Sequence, residues 1–160
     1  MRRKRTNRDA PEDAWPLALR MLGRRDYSVA ELNRKLGEKG VEADQVRQIV
    51  ERCLAYGYLD DARYAQQRAR GMMRQGRAVG GRILADLRQK GIDEATAESA
   101  LEQARCEQSD ADVLDELLAR RFPDFDYATA GERERRRVVH FLQRRGFPLG
   151  CILEKLTEKG

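Results

Sequence analysis

The strongest constraint on this chain is a pattern that it repeats three times without a gap. Leu32, Leu36, Gly40, Val41, Val46 and Val50 form the first copy. Ile83, Leu87, Gly91, Ile92, Ala97 and Leu101 form the second, and Val138, Leu142, Gly146, Phe147, Ile152 and Leu156 the third. Successive glycines stand 51 and 55 residues apart, and the internal offsets are identical. A period near 50 residues points to stacked copies of one supersecondary unit. Within a copy the spacing is helical. Two apolar residues at i and i+4 share one face of a helix. A glycine four residues later suits the left-handed position that ends a helix, and the apolar residue after it closes over that end. A second helix then carries the apolar positions five and nine residues further on.

An amphipathic helix precedes each copy. Ala18, Leu19, Met21 and Leu22 mark the first, and Ala62, Ala65, Ala69, Met72 and Met73 the second. Val113, Leu114, Leu117 and Leu118 mark the third. Each unit is therefore helix–helix–helix, and strand signals are absent. The predicted fold is all-α, with three tandem three-helix, helix-turn-helix-like repeats in an elongated, curved array. The expected division is a basic flexible tail over 1–11 and repeats over 12–58, 59–106 and 107–160. Capping signals support it: Ser28 with Glu31 and Thr129 with Glu132 as capping boxes, and Asp60, Asp93 and Asp110 as N-caps. Pro148 suits the first turn of the ninth helix, and Pro123 ends the seventh.

Composition excludes several function classes. Charged residues make up 37% of the chain, well above the ~25% of an ordinary soluble domain. No apolar run reaches the length of about 18 residues that a transmembrane helix needs, and no secretory signal follows the basic N-terminus. Cys53, Cys106 and Cys151 are far apart, which suits free thiols in a reducing cytoplasm. His140 is the one histidine; it is expected to pack at a boundary, and neither a zinc site nor a histidine triad is visible. No phosphate-binding glycine loop or nucleophile elbow occurs. No enzyme, cofactor or metal is expected.

The net charge of +5 is deceptive. Arg2, Arg3, Lys4, Arg5 and Arg8 lie in the first eight residues with no acid among them, and the rest of the chain has 27 bases and 27 acids. That neutral body is strongly blocked. Residues 62–91 hold eight bases and one acid, residues 92–132 three and twelve, and residues 133–145 six and one. On the fourth helix, Arg63, Gln67, Arg70 and Arg74 lie opposite the apolar stripe. Arg77 and Arg82 follow in and after a glycine-rich turn. On the eighth, Arg133, Arg136, Arg137 and Arg144 share a face. Guanidinium groups clamp phosphates and carboxylates. These nine arginines are the candidate surface for nucleic acid or an acidic protein; neutralisation by the acids of 92–132 is the competing reading. Trp15, before Pro16, is expected to staple the first helix. Tyr56, Tyr58 and Tyr64 are expected to pack where the first two units meet, with stacking on single-stranded bases as the alternative.

Three stretches carry a family resemblance: SVAELNRKLGEKGV (Ser28–Val41), YGYLDDARYA (Tyr56–Ala65) and GRILADLRQKGI (Gly81–Ile92). In their order and spacing they resemble the RecX family of recombination regulators, over roughly residues 14–157. The resemblance implies a cytoplasmic, non-enzymatic protein, read here as a monomer. Its implied partners are the RecA recombinase and the RecA filament on single-stranded DNA, whose activity in recombination and repair it modulates, most simply by inhibition. The family supplies no sharply defined ligand residues, so the nine arginines rest on charge placement alone. A helix-turn-helix regulator acting directly on DNA is the alternative. Its recognition helices would be the third of each unit, yet residues 93–105 there carry Asp93, Glu94, Glu98 and Glu102 against Arg105.

Overall fold

The computed structural model describes residues 14–159. Among the described residues the chain forms nine α-helices and no strand. They are α1 (Trp15–Arg24), α2 (Val29–Glu38), α3 (Ala43–Ala55), α4 (Asp61–Arg74), α5 (Gly81–Gln89), α6 (Glu94–Glu107), α7 (Asp110–Arg121), α8 (Glu132–Arg144) and α9 (Leu149–Glu158). The expected basic tail over 1–11 lies outside the described residues.

Local chemistry sets the boundaries. The Ser28 hydroxyl accepts from the Glu31 N–H while the Glu31 carboxylate accepts from the Ser28 N–H, a complete capping box on α2. Asp60 and Asp93 cap α4 and α6 by accepting from the N–H groups of Arg63 and Thr96. Three expected starts shift. Ser109, paired with Asp112, caps α7 and leaves Asp110 inside the first turn. The Thr129–Glu132 box does not form, because Asp126 takes the Thr129 hydroxyl and the Ala128 N–H into a turn of its own. Gly131 then precedes α8. Pro148 stands at the N-cap of α9 rather than within its first turn.

All five apolar positions of each repeated copy are buried. Gly40, Gly91 and Gly146 have φ of 85°, 77° and 104°, the left-handed conformation that closes a helix. Ala62 and Leu19, expected on the inward faces, are exposed, and Tyr64 is buried in α4. The core divides unequally. Ala18, Leu32, Leu36, Ile49, Cys53 and Leu59 belong to one cluster made by α1–α3 and the turn after them. A second cluster runs from Tyr64 to Leu156 and joins α4–α9. The helix α7 accounts for this continuity: it packs against α4, and its Val113, Leu114, Leu117 and Leu118 enter the same core.

Two joints link the triplets α1–α3, α4–α6 and α7–α9, and they are built alike. At the first, the Ser28 hydroxyl donates to the Lys90 carbonyl at 2.5 Å. At the second, the Val79 N–H donates to the Arg145 carbonyl at 2.8 Å. Ser28 and Val79 hold equivalent places, four residues before the first apolar position of their copies. Lys90 and Arg145 both stand one residue before the repeat glycine. A Cβ on Gly91 would collide with Ala30, and one on Gly146 with the Val79 carbonyl oxygen, while one on Gly40 would meet nothing within 4 Å. The glycine therefore does two things: it turns the chain out of a helix, and it admits the preceding triplet. Gly40 meets no other triplet among the described residues.

The first joint is also polar. Glu31 is only 4% exposed and lies 3.4 Å from the Lys90 ammonium and 3.5 Å from the Arg25 guanidinium. Burial pushes its carboxyl up, but the Ser28 N–H and the Arg25 and Lys90 charges outweigh that and leave its pKa lowered. Asp61 accepts from the Val29 N–H at 2.9 Å. The Tyr64 hydroxyl is buried with no hydrogen-bond partner among the described residues. Its burial, with the Glu31 charge, pushes its pKa up to about 12.

Candidate arginine interface

The arginine stripe of α4 is divided among three environments. Arg63 donates to the Gly57 carbonyl at 3.1 Å and so lies at the turn after α3. Arg70 pairs with Glu107 of α6 at 2.6 Å. Arg74 is exposed and shares with Arg70 a hollow of about 500 Å³ lined by Glu107, Asp112, Asp115 and Glu116. Acids of residues 92–132 thus stand beside Arg70 and Arg74, in line with the competing reading of neutralisation. Arg68, its neighbour in sequence, is held by both carboxylate oxygens of Asp86. The Arg68 bond, outweighing partial burial, holds the Asp86 carboxyl below its usual range.

Arg77 and Arg82 are different. They are exposed and flank a groove of about 220 Å³ whose one carboxylate, Asp86, is already engaged by Arg68. Arg77 touches only the Gln75 amide at 3.4 Å, and Arg82 has no side-chain partner among the described residues. The turn between α4 and α5 that carries Arg77 is clamped from the third triplet. Arg120 donates to the Gln75 carbonyl at 3.0 Å, and Arg145 donates to the Gly76 carbonyl at 3.0 Å. Arg145 also lies 3.6 Å over the centre of the Phe141 ring, and the Arg121 guanidinium lies 5.6 Å from the same centre. Burial first, then the like charges of Arg121 and Arg144, lowers the Arg145 pKa. Arg144 is exposed and without a side-chain partner among the described residues. The second joint is therefore a rim of arginines: Arg77 and Arg82 from the second triplet, and Arg120, Arg121, Arg144 and Arg145 from the third. The clamps made by Arg120 and Arg145 were not legible from the sequence, because they act on carbonyls 45 and 69 residues away.

Arg133, Arg136 and Arg137 stand apart, at the other end of α8 from Arg144. Eleven residues separate Arg133 from Arg144, about 16 Å of helix. Arg136 pairs with Glu132, and Arg137 lies 3.9 Å from Glu134. These pairs are exposed and weak. In the repeat, Arg136 and Arg137 correspond to Gly81 and Arg82, and to Ala30 and Glu31. Ala30 and Arg82 are the places where the next triplet's glycine seats. Among the described residues no triplet seats on these positions of α8, and Arg133, Arg136 and Arg137 are exposed. His140 is exposed on α8 rather than packed.

Comparison with known proteins bears on what such a surface serves. Residues 14–53 match the first three-helix domain of RecX, and residues 60–101 match the second. The Regulatory protein RecX of Syntrophotalea carbinolica is 45% identical over 92% of this chain and 96% of its own length. The chain belongs to the RecX family. The Regulatory protein RecX of Trichlorobacter lovleyi is 37% identical, over 96% of this chain and 99% of its own length. A crystal structure of regulatory protein RecX superposes with a TM-score of 0.72 at 27% identity, covering 91% of this chain and 70% of that one. RecX from Lactobacillus salivarius shares the fold, with a TM-score of 0.67 at 22% identity over 91% of this chain and 95% of its own. The two matched RecX domains end within α6, while the relatives extend across α7–α9. No helix among the described residues is long and apolar enough to cross a membrane.

Proposed function

We propose that this RecX-family chain binds the RecA recombinase and its filament on single-stranded DNA and restrains RecA in recombination and repair. It acts by binding rather than catalysis, as a cytoplasmic monomer of three units over residues 12–58, 59–106 and 107–160. The observation that carries the reading is the arginine rim at the second joint. Charges without acid partners, held on a clamped turn, suit phosphate or an acidic protein face. The outward arginines at the end of α8 add a second contact, and two weak contacts on one repetitive polymer reinforce each other. The direct helix-turn-helix reading is disfavoured by α6, which turns Glu98 and Glu102 to solvent where a recognition helix needs bases.

The test follows ATP hydrolysis by RecA on single-stranded DNA as the protein is added. The wild-type chain is expected to suppress hydrolysis. Arg77→Glu with Arg82→Glu is expected to raise the concentration needed by about tenfold, the scale of two lost charge-assisted contacts. Unaltered hydrolysis with the wild-type chain refutes the reading.

A further inference from the structure

Trp15, Tyr56 and Tyr58 form a ring cluster on the first triplet that the arginine interface does not use. The centroids lie 6.1 Å (Trp15–Tyr56), 6.5 Å (Trp15–Tyr58) and 5.6 Å (Tyr56–Tyr58) apart. Tyr56 is 60% exposed and Tyr58 50%, so the expected burial of these two at the junction is not what the fold does with them. Backbone chemistry explains their position. Gly57 takes φ of 72°, and the N–H groups of Tyr58 and Leu59 both donate to the Cys53 carbonyl. Leu59 drops into the core at 2% exposure, while the tyrosines on either side of Gly57 stay outside on a hydrogen-bonded turn.

Two guanidinium groups edge the cluster. The Arg52 guanidinium lies 3.8 Å over the Trp15 ring, and Arg63 reaches the Gly57 carbonyl between the tyrosines. The exposed Tyr56 and Tyr58 rings beside the half-buried Trp15, edged by guanidinium groups, match the two needs of unpaired nucleic acid: a π-face for a base and a positive charge for a phosphate. The flanking arginines favour a strand that carries both bases and phosphates over an uncharged protein segment.

We propose that Trp15, Tyr56 and Tyr58 form a stacking platform for the bases of single-stranded DNA, with Arg52 and Arg63 holding the adjoining phosphates. The site deepens the DNA half of the proposed function and is separate from the arginine rim. Trp15 is the only tryptophan, so its emission reports on the platform directly. An oligothymidylate of about 16 nucleotides, titrated into the full chain without recombinase, is expected to quench Trp15 saturably. Tyr56→Ala and Tyr58→Ala are each expected to weaken binding about tenfold, and Tyr56→Phe to leave it unchanged. Tyr56→Leu and Tyr58→Leu keep apolar bulk without the aromatic face and are expected to bind as poorly as the alanine variants; circular dichroism checks that each variant is folded. Wild-type affinity in the leucine variants marks a generic apolar patch and overturns the platform. Binding that leaves Trp15 emission unchanged, or equal quenching by duplex DNA, overturns it too. Because RecA is absent, quenching with no effect on RecA hydrolysis refutes the regulatory reading alone, and the reverse result refutes the platform alone.

Discussion

A methyl group is the smallest probe of the two joints. Alanine at Gly40, Gly91 or Gly146 forces a side chain into left-handed backbone, at about 1–2 kcal/mol. At Gly40 that is the whole cost, since a Cβ there meets nothing. At Gly91 and Gly146 the collisions with Ala30 and the Val79 carbonyl add about 1–3 kcal/mol. Urea midpoints are therefore expected to fall modestly for Gly40→Ala and clearly further for the other two; equal losses would contradict the paired role of the glycines. Glu31 makes a second prediction. Its folded pKa lies below the ordinary value of 4.5. Its contribution is thus fully present above that value and lost as pH falls through the lowered folded one. Glu31→Gln is expected to cost about 2 kcal/mol near neutral pH and to flatten the acid limb of the stability profile. Tyr64 has the opposite sign: with a folded pKa of about 12 against 10 unfolded, its contribution holds below pH 10 and is lost as pH rises towards 12. Tyr64→Phe is expected to remove that alkaline loss, read as thermal midpoint against pH.

Among the helices, α4 shows what neighbours do to a charge. Arg74→Glu would set a fifth carboxylate beside Glu107, Asp112, Asp115 and Glu116. It is expected to lower stability by about 1 kcal/mol, with the loss shrinking as salt rises; a salt-independent loss would point to packing instead. The same helix shows where sequence reading stops. The apolar ladder was legible because helical burial is periodic, and the repeat glycines because few residues tolerate left-handed backbone. Ser28, Asp60 and Asp93 were legible as caps because a cap reads only three residues ahead. Thr129 failed on that same local logic, since Asp126 lay just as near. The pairing of Arg70 was left open between two readings because Glu107 is 37 positions away in the chain, and the clamps of Arg120 and Arg145 were invisible because their acceptors are distant carbonyls. Tyr56 and Tyr58 were placed inward by composition, whereas the left-handed Gly57 between them sends Leu59 inward instead.

The unequal cores set how the molecule should open. The triplet α1–α3 has its own small cluster and meets the remainder largely through the polar contacts of Ser28, Val29, Glu31 and Asp61. The six helices α4–α9 share one. Hydrogen exchange is expected to show buried amides of α2 and α3 opening together at a lower free energy than those of α4–α6, with α7 protected alongside the latter. A single opening energy across both clusters would contradict this. The joints carry a wider consequence. Both joints repeat one contact in the same sense, so the three triplets all face one way along the chain, the head-to-tail arrangement rather than a self-complementary one. Among the described residues, Lys39 and Gly40 on one side and Glu134 to Arg137 on the other receive no partner triplet.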